Sequence, residues 1–416
     1  MDTKRSGSSF NSISSKRKLE SVFLFTTGKC NAKCAMCFYA NDMEKKARDL
    51  SFEEIRKISE SAGQFNRLWL SGGEPTLRED LPEIIEMFYR NNRVKDVNFP
   101  SNGIKSELII KWLKRLRKSC PETNITISIS LDGFGDTHDT QRGVESFYKA
   151  AECLKLIDDN FRDDGHILKN IATVITKYNV NEILDFMTWV YGRFHVSTHT
   201  IEAARGITRE DGVKILTEAS LRALQDKTAP FYTLYADRVG EGMSGIARKL
   251  TKFFYLGLMR SMYSLRADNI EKPTPWGMDC TAGETTLVLD YDGRFRACEL
   301  RAPVGKVQDY GYDVRKIINS EAWKKEIAAI GHGHTANCWC THGCWMMGSI
   351  TFNPAKMLSK VFKGYRETKK LARKNPLTID EGALKALEAK YRLDLPKLTE
   401  IGVVSKPAAD KTAGAA

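Results

Sequence analysis

The chain has 416 residues, and its 42% hydrophobic content is enough to build a sizeable core, which excludes wholesale disorder. Its net charge of +12 is uneven: residues 1–29 carry +4 and residues 356–374 carry +7, runs that are solvated faces unless they meet a polyanion or an anionic lipid surface. The longest dense apolar stretch, Phe253–Met259, is far short of the ~20 residues of a spanning helix. With no apolar segment of the secretory kind near the start, a cytoplasmic protein is expected, with no nucleic-acid partner since no RNA-binding module is recognisable.

In chain order, residues 1–20 read as a basic flexible N-terminus. From 21 to 205, short apolar β-rich runs alternate with longer amphipathic stretches. The runs are Ser21–Thr27, Arg67–Leu70, Val94–Phe99, Ile125–Leu131, Asn170–Ile175 and Val196–Ile201. Helical patterns lie between most of them, such as Ser51–Phe65, which opens with Ser51 and Glu54 at capping-box spacing. Six strands alternating with helices predict an α/β fold with a parallel sheet, either open or curled into a partial barrel. In that architecture the working residues sit just past the strands' C-terminal ends.

Residues 206–275 read as a mostly helical insertion. Within it, Ser244–Arg266 combines an apolar stripe (Ile246, Leu250, Phe253, Leu258, Met262, Leu265) with Arg248, Lys249, Lys252 and Arg260. That pattern suits a core-packing helix with a wet face, or a helix lying on a membrane surface. Pro273-Thr274-Pro275 marks a boundary. Residues 276–348 form a cysteine-bearing module, and 349–416 a basic helical region with a disordered tail.

Ten cysteines without an export signal point to metal binding rather than disulfides. Cys120 and Cys153 stand alone and read as small buried hydrophobes. Cys30-x3-Cys34-x2-Cys37 follows the first strand directly. Three clustered thiolates cannot close a four-ligand site. In a [4Fe–4S] cluster the deficit leaves one iron open to a cofactor or substrate, whereas zinc has to borrow a distant His. Leu70-Ser71-Gly72-Gly73-Glu74-Pro75 follows the second strand, Ser101-Asn102-Gly103 the third, and Ser130-Leu131-Asp132-Gly133 the fourth, with His138-Asp139 and Arg142-Gly143 beyond it. Glu202 to Gly206 closes the sixth.

This order of motifs resembles the radical SAM superfamily. The resemblance implies a partial (β/α)6 TIM-like barrel over residues 21–205. Cys30, Cys34 and Cys37 would hold a [4Fe–4S] cluster whose open iron binds S-adenosylmethionine. Around that cofactor it implies Phe38 and Tyr39 beside the adenine, Gly72, Gly73 and Glu74 at the methionine amino group, and Asn102. Ser130 and Arg142 would contact the carboxylate, Asp132 would lie near the opening of the site, and Glu202 to Gly206 would approach the adenosine. One position departs: Met36 stands where many members place an aromatic.

The later cysteines, Cys280-x12-Gly293-x4-Cys298 and Cys338-x-Cys340-x3-Cys344, frame Thr286–Ala297, which reads as a hairpin about Tyr291-Asp292-Gly293. The pattern resembles the opening of the SPASM and Twitch extensions of the same superfamily. Five cysteines rather than seven favour the smaller Twitch type with one auxiliary [4Fe–4S] cluster, held by Cys280, Cys298, Cys340 and Cys344, with Cys338 as the alternative. A zinc ribbon is the other reading of this module, with His332, His334 and His342 nearby.

The resemblance further implies reductive cleavage of S-adenosylmethionine to a 5′-deoxyadenosyl radical, which takes hydrogen from an unactivated C–H. It also implies an external electron donor of flavodoxin or ferredoxin type. An auxiliary cluster with four protein ligands suits an electron acceptor, so the expectation is net oxidation of a small metabolite such as a sugar, a nucleoside or a lipid-linked group. The alternatives are a peptide-modifying maturase and, from another class, a non-catalytic iron–sulfur carrier or zinc-stabilised binding module. The basic amphipathic stretches add a possible peripheral membrane contact. No catalytic side chain is singled out.

Overall fold

The computed structural model describes residues 18–45, 47–331 and 338–405. Most of the basic N-terminus, nearly all of the tail, and His332 and His334 lie outside the described residues. Six strands, β1 (Ser21–Phe25), β2 (Arg67–Ser71), β3 (Asp96–Ser101), β4 (Asn124–Ser130), β5 (Ile167–Ile175) and β6 (Thr198–Ala203), pair in parallel, in sequence order. All six sequence runs are therefore strands, with ends shifted by no more than three residues. This is the mixed α/β partial barrel that the motif order implied.

The crossovers are helical for local reasons. The helix Phe52–Ala62 has the expected capping box, in which Ser51 Oγ accepts from the Glu54 N–H and the Glu54 carboxylate accepts from the Ser51 N–H. Its apolar face (Ile55, Ile58) joins a continuous core with Leu68, Ile84, Phe88, Ile127 and Ile129. The expected hairpin also forms, from β7 (Thr286–Leu289) and β8 (Arg294–Arg296), followed by β9 (Gly305–Lys306).

The placement of that hairpin goes beyond the sequence reading. Strand β7 pairs in parallel with β1, Ser21 opposite Thr286, so the sheet runs β6-β5-β4-β3-β2-β1-β7-β8-β9. The hydroxyls of Ser21 and Thr286 hydrogen-bond at 2.7 Å across this junction. The cysteine module thus continues the barrel's sheet. The helices Glu218–Val239, Gly245–Asp268 and Pro354–Lys374 pack against one another. The helix Gly245–Asp268 splits in two: Leu256, Met262 and Leu265 are in the core, whereas Ile246 and Leu250 of the same stripe are exposed. Among the described residues no helix is long and apolar enough to cross a membrane.

His199, on β6, shows how the core responds to pH. It is fully buried; Thr173 Oγ donates to the Leu131 carbonyl, so His199 Nε2 donates to Thr173 Oγ at 2.8 Å. Burial pushes its pKa down to about 3. The folded state therefore refuses a proton that the unfolded chain accepts below pH ~6.5, and stability falls as pH drops from there toward 3. A His199→Gln variant should lose ~1.4 kcal/mol per pH unit less than wild type over that window, as read by urea denaturation at several pH values.

Candidate active site at the strand ends

The parallel strands deliver every expected motif to one end of the sheet. The cysteine loop after β1 is stitched to two neighbours. Gly73 N–H donates to the Thr27 carbonyl and Glu74 N–H to the Lys29 carbonyl, at 2.8 and 2.9 Å. On the other side, Lys33 and Ala35 N–H donate to the Arg142 and Gln141 carbonyls, at 3.0 and 2.9 Å. Gly73 has to be glycine, since a Cβ there would lie 2.0 Å from the Lys29 carbonyl oxygen. Gly72 has φ +125°, the conformation that frees the turn for backbone contact.

Cys30 is exposed and Cys34 and Cys37 are half-buried. Burial pushes Cys30 up to about 11 and raises Cys37; Cys30 is raised further by Cys34, Glu74 and Cys37, and Cys37 by Cys34. A loop of three neighbouring thiols in which Cys30 and Cys37 resist ionisation fits a cationic centre that stabilises thiolates.

Glu74 is almost fully buried. One carboxylate oxygen accepts from Thr76 N–H, Thr76 Oγ and Ser101 Oγ, and the other from Asn102 N–H. Burial raises its pKa against those four donors. Here, then, Glu74 ties the turn after β2 to the turn after β3. The Asn102 amide in turn donates to Asn31 Oδ1, at 2.7 Å, within the cysteine loop. Ser130 is half-buried at the end of β4.

Arg142 is buried and bound on one side to Asp132, at 2.6 Å, with a terminal nitrogen directed at Cys34 Sγ, at 3.7 Å. Asp132 is not near the opening of the site as expected. It is fully buried beneath the loop, where it also accepts from the Val174 N–H, because Arg142 and that amide need an internal acceptor.

Phe38 stays half-exposed beside the loop, with the Arg205 guanidinium over its ring at 5.0 Å. Tyr39 corrects the expectation of a paired adenine contact. Its ring turns inward against Phe25, centroids 4.2 Å apart, and its hydroxyl donates to Asp290 Oδ1 at 3.0 Å. Asp290 also accepts from Arg296, and Arg296 and Arg294 both reach Asp42. A buried ionic network therefore joins the cysteine loop to the hairpin of the C-terminal module, which periodicity alone gave no means to foresee.

In that module Cys280 and Cys298 are buried, and Cys338, Cys340 and Cys344 half-buried. Burial pushes Cys280, Cys340 and Cys344 up to about 12, and Cys298 well above its usual range. Cys280 is raised further by Cys338 and Cys340, and Cys298 by Glu299, Cys340 and Cys280; the charged neighbours of Cys344 are Glu299, Glu202, Arg205 and Arg266. Leu300 and His342 N–H point at Cys298 and Cys340 sulfurs, at 3.5 and 3.3 Å. This all-thiol donor set with amides on sulfur fits a closed iron–sulfur cluster.

Beside it, buried Glu299 pairs with His342 Nε2 and accepts from Trp345 Nε1 at 3.0 Å. Arg266, also unforeseen, holds Glu202 with both carboxylate oxygens, at 2.8 and 2.7 Å, and donates to the Thr341 carbonyl. It thereby fixes the end of β6 to the cysteine segment.

Residues 24–190 match the family model "Radical SAM superfamily". A probable GTP 3′,8-cyclase of Methanococcus maripaludis is 36% identical over 118 residues, covering 28% of this chain and 37% of that protein. An Fe-coproporphyrin III synthase of Methanosarcina barkeri is 31% identical over 172 residues, covering 41% of this chain and 40% of that one. The chain thus spans well under two thirds of those relatives.

Among solved structures, native anSMEcpe with bound AdoMet and a Cp18Cys peptide aligns over 90% of this chain and 99% of its own, with a TM-score of 0.55 at 16% identity. Streptococcus suis SuiB bound to S-adenosylmethionine aligns over 75% of this chain and 68% of its own, with a TM-score of 0.50 at 15% identity. At such identities these two establish the fold, including its C-terminal part. Residues 24–190 are thus a radical SAM domain, the kind that works with a [4Fe–4S] cluster and S-adenosylmethionine, and the C-terminal part shares the fold of these two solved structures.

Proposed function

We propose that this radical SAM enzyme oxidises a C–H bond of a small metabolite and passes an electron to a cluster held by the C-terminal cysteines. When bound, the first cluster and S-adenosylmethionine supply the 5′-deoxyadenosyl radical. Cys30, Cys34 and Cys37 would hold that cluster, and Gly72, Gly73, Asn102, Ser130 and Phe38 would form the cofactor's cradle. Glu74 and the Arg142–Asp132 pair fix the loops from beneath.

The observation that carries the reading is the second thiol set. Cys280 and Cys298 are enclosed by protein and five thiols are available, so a cluster there can be fully protein-ligated. A closed cluster has no position for substrate and suits electron transfer. Arg205, lying over Phe38, paired with Glu202 at 3.5 Å and near enough for its charge to act on Glu299 and Cys340, would stand between the two centres. The curated relatives' names, a GTP cyclase and a porphyrin synthase, favour small-molecule chemistry; the peptide in the first solved neighbour keeps the maturase as the competing outcome.

The test is 5′-deoxyadenosine formation by the reduced, reconstituted enzyme, given either a deproteinised metabolite extract or the peptide fraction of the same cells. Stimulation by the metabolite extract is expected. A Cys298→Ala variant should still release 5′-deoxyadenosine but consume no metabolite. Stimulation by the peptide fraction alone would make the protein a maturase, and no cleavage under any condition would make it a carrier.

A further inference from the structure

The helix Pro354–Lys374 has two faces of different character. Met357, Val361 and Thr368 are buried against the helices Gly245–Asp268 and Glu218–Val239. The approach is close: a Cβ on Gly364 would lie 2.5 Å from the Gly257 carbonyl oxygen. The opposite face carries Leu358 and Phe362, one turn apart, and they are 57% and 55% exposed. Lys356, Lys363, Arg366, Lys370 and Arg373 are exposed around them. The helix's one acid, Glu367, is paired, with Arg260 at 3.2 Å and Lys363 at 4.0 Å.

A second apolar pair repeats the arrangement. Ile246 and Leu250 project from the first turns of Gly245–Asp268, 76% and 51% exposed, beside exposed Arg248 and Lys249. A merely solvated face leaves such large apolar neighbours unexplained, and a purely electrostatic partner needs only the cations. Cations spread around a pair of apolar anchors, with no free acid on that face, match an anionic headgroup layer over hydrocarbon.

We propose that this face of Pro354–Lys374 docks the protein on an anionic phospholipid membrane. Leu358 and Phe362 enter the headgroup layer while the flanking lysines and arginines meet lipid phosphates, with no part of the helix crossing the bilayer. This binding is independent of the reaction proposed above, because none of these residues belongs to the cysteine sites or the cofactor cradle.

The experiment is flotation of the full cluster-loaded chain with vesicles of phosphatidylcholine containing phosphatidylglycerol, and with phosphatidylcholine alone. Binding to the anionic vesicles only is expected, weakening as salt rises. L358S/F362S should weaken it about tenfold or more through lost apolar contact. K363E/K370E should weaken it about fivefold or more for each charge reversed. Cleavage of S-adenosylmethionine and the melting temperature should stay at wild-type values in both, since the altered side chains are exposed; F362S alone serves if the double variant melts early. No binding to anionic vesicles at low salt overturns the proposal. So does L358S/F362S binding as well as wild type, or a wild type that binds an RNA oligonucleotide and leaves vesicles alone.

Discussion

Anaerobically reconstituted wild-type protein should carry about eight irons and as many labile sulfides, and the Cys30→Ala, Cys34→Ala, Cys37→Ala variant about four of each, as two cuboidal clusters require. Reductive cleavage of S-adenosylmethionine should fall to background in the variant. No other thiol can substitute: Cys120 and Cys153 are buried in the apolar core, and the later five would be taken up by the second cluster. Iron and sulfide analysis with 5′-deoxyadenosine chromatography reads both effects. About four irons in wild type and none in the variant, with zinc in the preparation, would instead make the C-terminal module a structural zinc site and remove the electron acceptor.

Asp290→Ala should be the most damaging single change outside the cysteines. Asp290 is fully buried, accepts from Tyr39 and holds the guanidinium of Arg296. Burial drives its pKa up, and Arg296 and Arg294 oppose that. Removing the carboxylate leaves the buried Arg296 with Asp42, at 3.1 Å, and the Arg301 carbonyl, at 3.2 Å, and leaves an unpartnered phenol. Breaking such a pair costs ~3–5 kcal/mol, and Asp42 places this case at the lower end. Tyr39→Phe, which removes one hydrogen bond, should cost only ~1 kcal/mol. Because Tyr39 lies two residues after Cys37, Asp290→Ala should also lower iron at the first site with every cysteine intact. Urea denaturation and iron analysis separate the two effects, and first-site iron retained at the wild-type level would show that the network stabilises the hairpin alone.

Much of this architecture was written locally. Strand runs, the Ser51 capping box and the turn at Gly293 each depend on residues within one element, so period and turn chemistry found them. The site was legible where the backbone itself does the work, as at Gly72 and Gly73. It was less so where a side chain chooses between two directions. Tyr39 follows Phe38 and has the same aromatic character, and only the distant Asp290 decides that it points inward. Arg266 read as one more residue of an amphipathic stretch, although its partners Glu202 and Thr341 lie 64 and 75 residues away. Such partners leave no periodic trace.

The pairing of β1 with β7 has a consequence for how the chain folds. Ser21 and Thr286 are 265 residues apart, so this contact closes last and most slowly among the strand pairs. During synthesis β1 is made long before β7, and its second edge stays bare until the intervening residues 26–285 have followed. A bare, apolar edge invites pairing with other chains. A protein truncated before the hairpin would keep that edge permanently open, and it would precipitate rather than persist as a smaller barrel.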